Sequence, residues 1–144
     1  MTATLEAFQQ GFPAFLLMTG TAGILLLLAS SIYVLLTPWK ELALLKNGNA
    51  AAGLALAGAI VGLAIPIASC LASSLSLLDL VLWGTVALLL QLLTYRVIDM
   101  ILKDIPQRIQ NDEAGAAIVL IASKIAVALI LAAGLWDPNL QRLY

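Results

Sequence analysis

Histidine is absent from the 144 residues, and Cys70 is the only cysteine. The first absence removes the commonest general base, the commonest metal ligand and the usual axial haem ligand. The second excludes an intrachain disulfide and a thiolate metal cluster. Cys70 also sits in an apolar run, where a thiol behaves as a small hydrophobe. Charge is scarce as well: 10% of residues, against about 25% in a soluble globular domain. That leaves too little polar surface to clothe a water-facing globule. An ordinary cytosolic enzyme and a disordered chain are excluded on composition. Seven basic residues against eight acidic ones, with net charge −1, form no basic patch, so a nucleic-acid partner is not expected. The same scarcity leaves no residue set for a metal or a cofactor, and neither is expected. No Ser/His/Asp set, carboxylate pair in a shared cleft or phosphate-binding glycine loop is present, and an enzyme ranks last among the functions considered.

What is abundant is apolar sequence. Hydrophobic residues make up 62% of the chain, with a mean hydropathy of +1.05, which points to an integral membrane protein with the lipid bilayer as its main partner. Four uncharged or nearly uncharged runs stand out, at about 13–36, 50–72, 80–102 and 114–136. A helix of about 23 residues is roughly 35 Å long, enough to cross a ~30 Å hydrocarbon core. Leucine and alanine dominate all four, and the alternating pattern of a membrane β-barrel is missing. Residues 1–12 carry no Lys or Arg, so the first run reads as a retained span and not as a secretory signal.

The connections set an orientation. TPWKELALLKNGN holds Lys40 and Lys46, and KDIPQRIQNDE holds Lys103 and Arg108, whereas SSLSLLD holds no base. The positive-inside rule then places the first and third connections in the cytoplasm and both termini outside. The tail DPNLQRLY carries one arginine against this trend. Trp39, Trp83 and Trp136 fall near span ends, where interfacial aromatics are expected.

The halves resemble each other at an offset of 64 residues. Gly20-Thr21 matches Gly84-Thr85, and Asn47 before an alanine-rich start matches Asn111. The expected fold is all-α: four transmembrane helices as two parallel two-helix repeats, at about 13–73 and 77–137, within a single membrane domain. Small residues follow the repeat. Ala51, Ala55, Gly58, Gly62 and Ser69 share one face of the second span, and Gly58 and Gly62 form a GxxxG. Gly115, Ala122, Ala126 and Ala133 occupy the matching face of the fourth, and Gly84, Ala87, Gln91 and Thr94 form a stripe on the third. Such stripes let helices approach closely, within one chain or between subunits of a homo-oligomer; packing within one chain is the favoured role.

The stretches KNGNAAAGLALAGAIVGLAIPIAS, DLVLWGTVALLLQL and IQNDEAGAAIVLIASKIAV resemble the domain of unknown function 350 family. This is a family of small bacterial inner-membrane proteins built from a duplicated two-span unit. The resemblance runs from about residue 20 to 134. It implies the architecture and a bacterial inner-membrane location, and it brings no catalytic residues to carry over.

Few polar residues fall inside the spans. Lys124 stands near the middle of the fourth, where a charge costs a few kcal/mol. It lies nearly opposite the small-residue stripe, and its counterpart at the 64-residue offset is Ile60. A snorkelling or packed lysine and a functional midplane group are equally weighted readings. Gln91, at similar depth, is the expected partner, with helix–helix glue as its favoured role. Arg96, Asp99 and Lys103 are spaced to share one face and to pair at the cytoplasmic interface. Pro66 should free a backbone carbonyl and kink the second span. Asn47, Gly48 and Asn49 read as turn and N-cap, and Asn111, Asp112 and Glu113 as their counterparts.

Two functions remain. One is a homo-oligomeric permeation or transport component for an ion or small solute, its path lined by Lys124, Gln91 and Pro66. The other is a membrane scaffold or envelope-stress partner. It would recruit a peripheral cytoplasmic protein or anionic lipid through Lys40, Glu41, Lys46, Lys103 and Arg108.

Overall fold

A computed structural model describes residues 2–73 and 76–136. Ser74 and Leu75 of the SSLSLLD connection, and the DPNLQRLY tail, lie outside them. Each uncharged run forms a helix, because lipid offers a backbone no hydrogen-bond partner and a helix supplies its own. The chain runs α1 (Thr2–Leu36), α2 (Glu41–Lys46), α3 (Ala50–Ala72), α4 (Leu77–Leu102), α5 (Ile105–Gln110) and α6 (Ala114–Leu135). Helices α1, α3, α4 and α6 are long and apolar enough to cross a membrane, and no strand occurs among the described residues.

Helix α1 starts well before the expected residue 13. The segment LEAFQQ ahead of Pro13 consists mostly of helix formers, and Pro13 is carried inside the helix. With 35 residues, α1 is about 52 Å long, well beyond a ~30 Å core. Helix α3 likewise passes through Pro66, which is buried, and continues to Ala72.

The two basic connections, read from sequence as loops, contain the six-residue helices α2 and α5. They end in the same turn. Asn49 N donates to Leu44 O at 3.0 Å, and Glu113 N donates to Arg108 O at 2.9 Å. Gly48 has φ +83° and Asp112 φ +58°, a left-handed conformation that glycine adopts freely and aspartate tolerates. All of these pairs are 64 residues apart.

The caps differ from the expected symmetry. Asn49 caps its own helix, its Oδ1 accepting from Ala52 N at 2.7 Å. Glu113 makes no side-chain cap to α6. Asp112 instead crosses over and accepts from Ala51 N of α3 at 2.8 Å, while Asn49 Nδ2 donates to Ile109 O at 2.9 Å. Ser76 and Asp79 form a reciprocal capping box at the start of α4.

Helix α3 is the centre of the bundle, packed against α1, α2, α4, α5 and α6, most extensively against α6. Those two run parallel. Their first turns meet through Asn49 and Asp112, and near their far ends Ser69 Oγ donates to Ala132 O at 3.0 Å. Glycine permits the approach. A Cβ on Gly58 would lie 3.0 Å from the Cα of Ile121 and 2.5 Å from its Cγ1. A Cβ on Gly84 would meet Leu25 Cδ2 at 2.5 Å. Gly58, Gly62 and Gly84 therefore pack within one chain.

In α6 the sequence-based face is reversed. Gly115, Ala122, Ala126 and Ala133 are exposed, and Ala116, Ala117, Leu120, Lys124, Ala128 and Leu135 are buried. The helix is turned so that its lysine lies in protein instead of lipid. Trp39, just past the end of α1, is 2% exposed, at the heart of a cluster with Ala51, Ala55, Tyr95, Ile105 and Leu120.

Candidate functional site

Lys124 is fully buried among the chain's own helices. Its Cα lies ten residues along α6, about 15 Å from the helix start. Helical side chains lean toward their own N-terminus, so the lysine reaches back toward the end of the bundle that holds α2 and α5. There its Nζ donates a hydrogen bond to the Tyr33 hydroxyl and sits 3.9 Å from the centre of the Tyr33 ring. Tyr33, near the end of α1, is itself 0% exposed.

The charge that answers Lys124 is Glu41, in the first turn of α2. It is 0% exposed, and neither carboxylate oxygen has a hydrogen-bond partner. Glu41 is the acidic group whose field reaches Lys124, yet no ion pair within 4.0 Å joins them, the one such pair among the described residues being Arg108–Glu113. Burial pushes the Glu41 carboxyl up to about 7, against the opposing pull of the Lys124 charge and the Trp39 indole. Trp39 Nε1, another buried group without a partner, belongs to a ring packed edge-on to Tyr95, with centroids 5.2 Å apart.

Gln91 meets Lys124, but through the backbone. From α4, its Nε2 donates to Lys124 O and to Gly62 O, each at 3.1 Å, so one side chain ties α4 to both α3 and α6. Gly62 is required for this. A Cβ there would stand 2.8 Å from Nε2. Gln91 Oε1 is buried and unpartnered.

The Arg96, Asp99 and Lys103 face does not form the expected ion pairs. Asp99 Oδ1 instead accepts from Ile105 N at 3.0 Å, holding the entry to α5, and Arg96 lies over the Tyr95 ring at 5.7 Å. Arg108 pairs with Glu113 at the surface and holds that carboxyl below its ordinary range. The expected cytoplasmic patch loses Glu41, which faces inward, but keeps Lys40, Lys46 and Lys103 exposed.

Tyr33, Trp39 and Glu41 are the members that sequence reasoning missed. A carboxylate in a charged connection reads as solvated. One partial signal was available. At the 64-residue offset Glu41 faces Ile105, just as Lys124 faces Ile60. Arg96 likewise stands opposite Ile32, so the mismatch alone does not pick out a buried charge. It is the structure that puts Glu41 and Lys124, of opposite sign, in the interior.

Residues 7–135 match the family described as Domain of Unknown Function (DUF350). The chain is 32% identical over 102 residues to the UPF0719 inner membrane protein YjfL of Escherichia coli K12, covering 71% of this chain and 77% of the relative. It is 25% identical over 112 residues to the UPF0719 transmembrane protein YshE of Bacillus subtilis, covering 76% and 84%. No solved structure matches it significantly. These relatives and the four apolar helices mark a multi-pass inner-membrane protein, and the chain belongs to the DUF350 family.

Proposed function

We propose that this protein is a permeation or transport component for an ion or small solute, working as a homo-oligomer. One observation carries the reading. Two opposite charges, Lys124 and Glu41, are enclosed by the helices, and the carboxylate is left without hydrogen bonds. A bundle that needed only to be stable would gain by replacing such a pair with apolar residues. Ionisable groups inside membrane bundles mark ion and proton pathways. Because Lys124 lies within one chain, the charged site belongs to each subunit, and an oligomer would complete the route around it.

The experiment is flux in proteoliposomes with ion- and pH-sensitive dyes. Wild-type protein is expected to pass a small ion or solute, and Lys124→Met to abolish the flux. Undiminished flux in that variant removes the assigned role, and no flux from wild type removes the reading. A second reading rests on the exposed Lys40, Lys46 and Lys103, which suit anionic lipid or an acidic peripheral partner on the cytoplasmic side. Charge reversal at these three would release such a partner in a pull-down, whereas Lys124→Met would not.

A further inference from the structure

We infer that Glu41, with Lys124 and Tyr33, is a proton-binding site inside the bundle, served by water from a cleft at the α2/α5 end. This deepens the permeation reading and rests on it for any coupling to flux; the binding itself can be measured without flux.

The geometry carries the inference. A cleft of about 330 Å³ opens at that end, lined by Pro38, Trp39, Lys40, Ala43, Leu44, Asn47 and Gln110. Trp39 forms part of its wall and also neighbours the Glu41 carboxyl. The indole N–H and both carboxylate oxygens are buried without partners, although buried polar groups are nearly always satisfied. Two unmet acceptors in a desolvated site can take up a proton or accept from water, and the nearby indole N–H opposes protonation without preventing it. The acceptor is the carboxylate. A proton from cleft water adds to one Glu41 oxygen, forming an O–H bond and leaving hydroxide to be neutralised by bulk buffer. The site's net charge rises by one while Lys124 keeps its bond to Tyr33.

The electrostatic surroundings of Glu41 are few. Tyr33 faces it from α1, Lys124 from α6, and Lys40 precedes it at the surface. Tyr95, on α4, lies beyond Trp39. The stretch of α3 packed nearby presents Ala51, Ala52 and Ala55, and the one charged residue of α5, Arg108, is held by Glu113. Among the described residues no second carboxylate acts on Glu41. Desolvation thus meets a single buried counter-charge, and the balance falls near neutral pH, consistent with a carboxyl raised to about 7.

The test is infrared titration of the reconstituted full chain carrying isotope-labelled glutamate, between about pH 5 and pH 9. The chain has three glutamates, Glu6, Glu41 and Glu113, and two of them are exposed. A protonated carboxyl signal is expected to appear with a midpoint near neutrality in wild type, to vanish in Glu41→Gln, and to move to higher pH in Lys124→Met. Trp39 emission, isolated by Trp83→Phe and Trp136→Phe, should follow the same midpoint. If wild-type glutamate titrates wholly in the ordinary carboxylate range, the site is overturned, whatever the variants do. A flat Trp39 titration overturns the placement of the proton beside the cleft wall. Should the neutral midpoint stand while Lys124→Met leaves flux unchanged, the permeation reading fails and the proton site survives.

Discussion

A lysine with its backbone in the middle of a membrane span is costly wherever its ammonium ends up. Here the cost is met by geometry. The side chain leans toward the α2/α5 end, finds the Tyr33 hydroxyl, and shares the interior with Glu41. Removing one member of a buried pair is worse than removing both, because the survivor keeps its desolvation cost without its counter-charge. At neutral pH Lys124→Met should therefore lose about 1–3 kcal/mol, and Glu41→Gln with Lys124→Met should melt above the single lysine variant. The pH dependence has a definite sign. The folded Glu41 carboxyl titrates near 7 and the unfolded one near 4.5, so between those values the folded state holds the proton more tightly. Unfolding then releases it, and the Glu41 contribution to stability falls as pH rises through that window. The effect is at most on the order of 3 kcal/mol. Thermal melts of the detergent-solubilised protein check it: wild type should lose stability from pH 4.5 to 7, and Glu41→Gln should remove that slope.

At the scale of the helices, glycine decides how close the elements come. A methyl on Gly58 would press on the backbone of Ile121, which cannot swing aside, whereas a methyl on Gly84 would press on the tip of Leu25. Gly58→Ala should cost about 1–3 kcal/mol and Gly84→Ala clearly less, read as melting temperatures in one detergent. Equal losses would mean that α3 and α6 can separate cheaply. How far these elements were legible in sequence follows the same physics. Long uncharged runs reveal spans because lipid tolerates little else, and the small face of α3 was legible because Ala51, Ala55, Gly58 and Gly62 do pack inward. The stripe on α6 misled, because smallness permits contact without compelling it, while burial of one ammonium outweighs several alanines. Glu41 was illegible as a buried group because short amphipathic connections look alike whether they lie on a bundle or project from it. The break in the 64-residue match did not single it out, since Arg96 opposite Ile32 breaks the match equally.

For the molecule as a whole, the parallel course of α3 and α6 constrains topology. Hydrogen bonds join their first turns through Asn49 and Asp112 and their last turns through Ser69 and Ala132, so both helices must enter the bilayer from one side. The two basic connections then lie on the same face, and the excess of Lys and Arg there argues for the cytoplasmic one. Helix α1 overruns the core at the end opposite α2 and α5, carrying the exposed Phe8, Phe12 and Phe15 with stacked rings. Single cysteines placed in a Cys70→Ser background test this in whole cells with a membrane-impermeant thiol reagent. Lys46→Cys and Asp104→Cys are exposed positions on the two basic connections and should resist labelling until the membrane is permeabilised. Ser76→Cys, at the exposed start of α4, should label in intact cells. Labelling of the first two from opposite sides would break the parallel arrangement. Labelling of both from outside would keep that arrangement but invert the protein, and the proton site beside Glu41 would then draw on the periplasm instead of the cytoplasm.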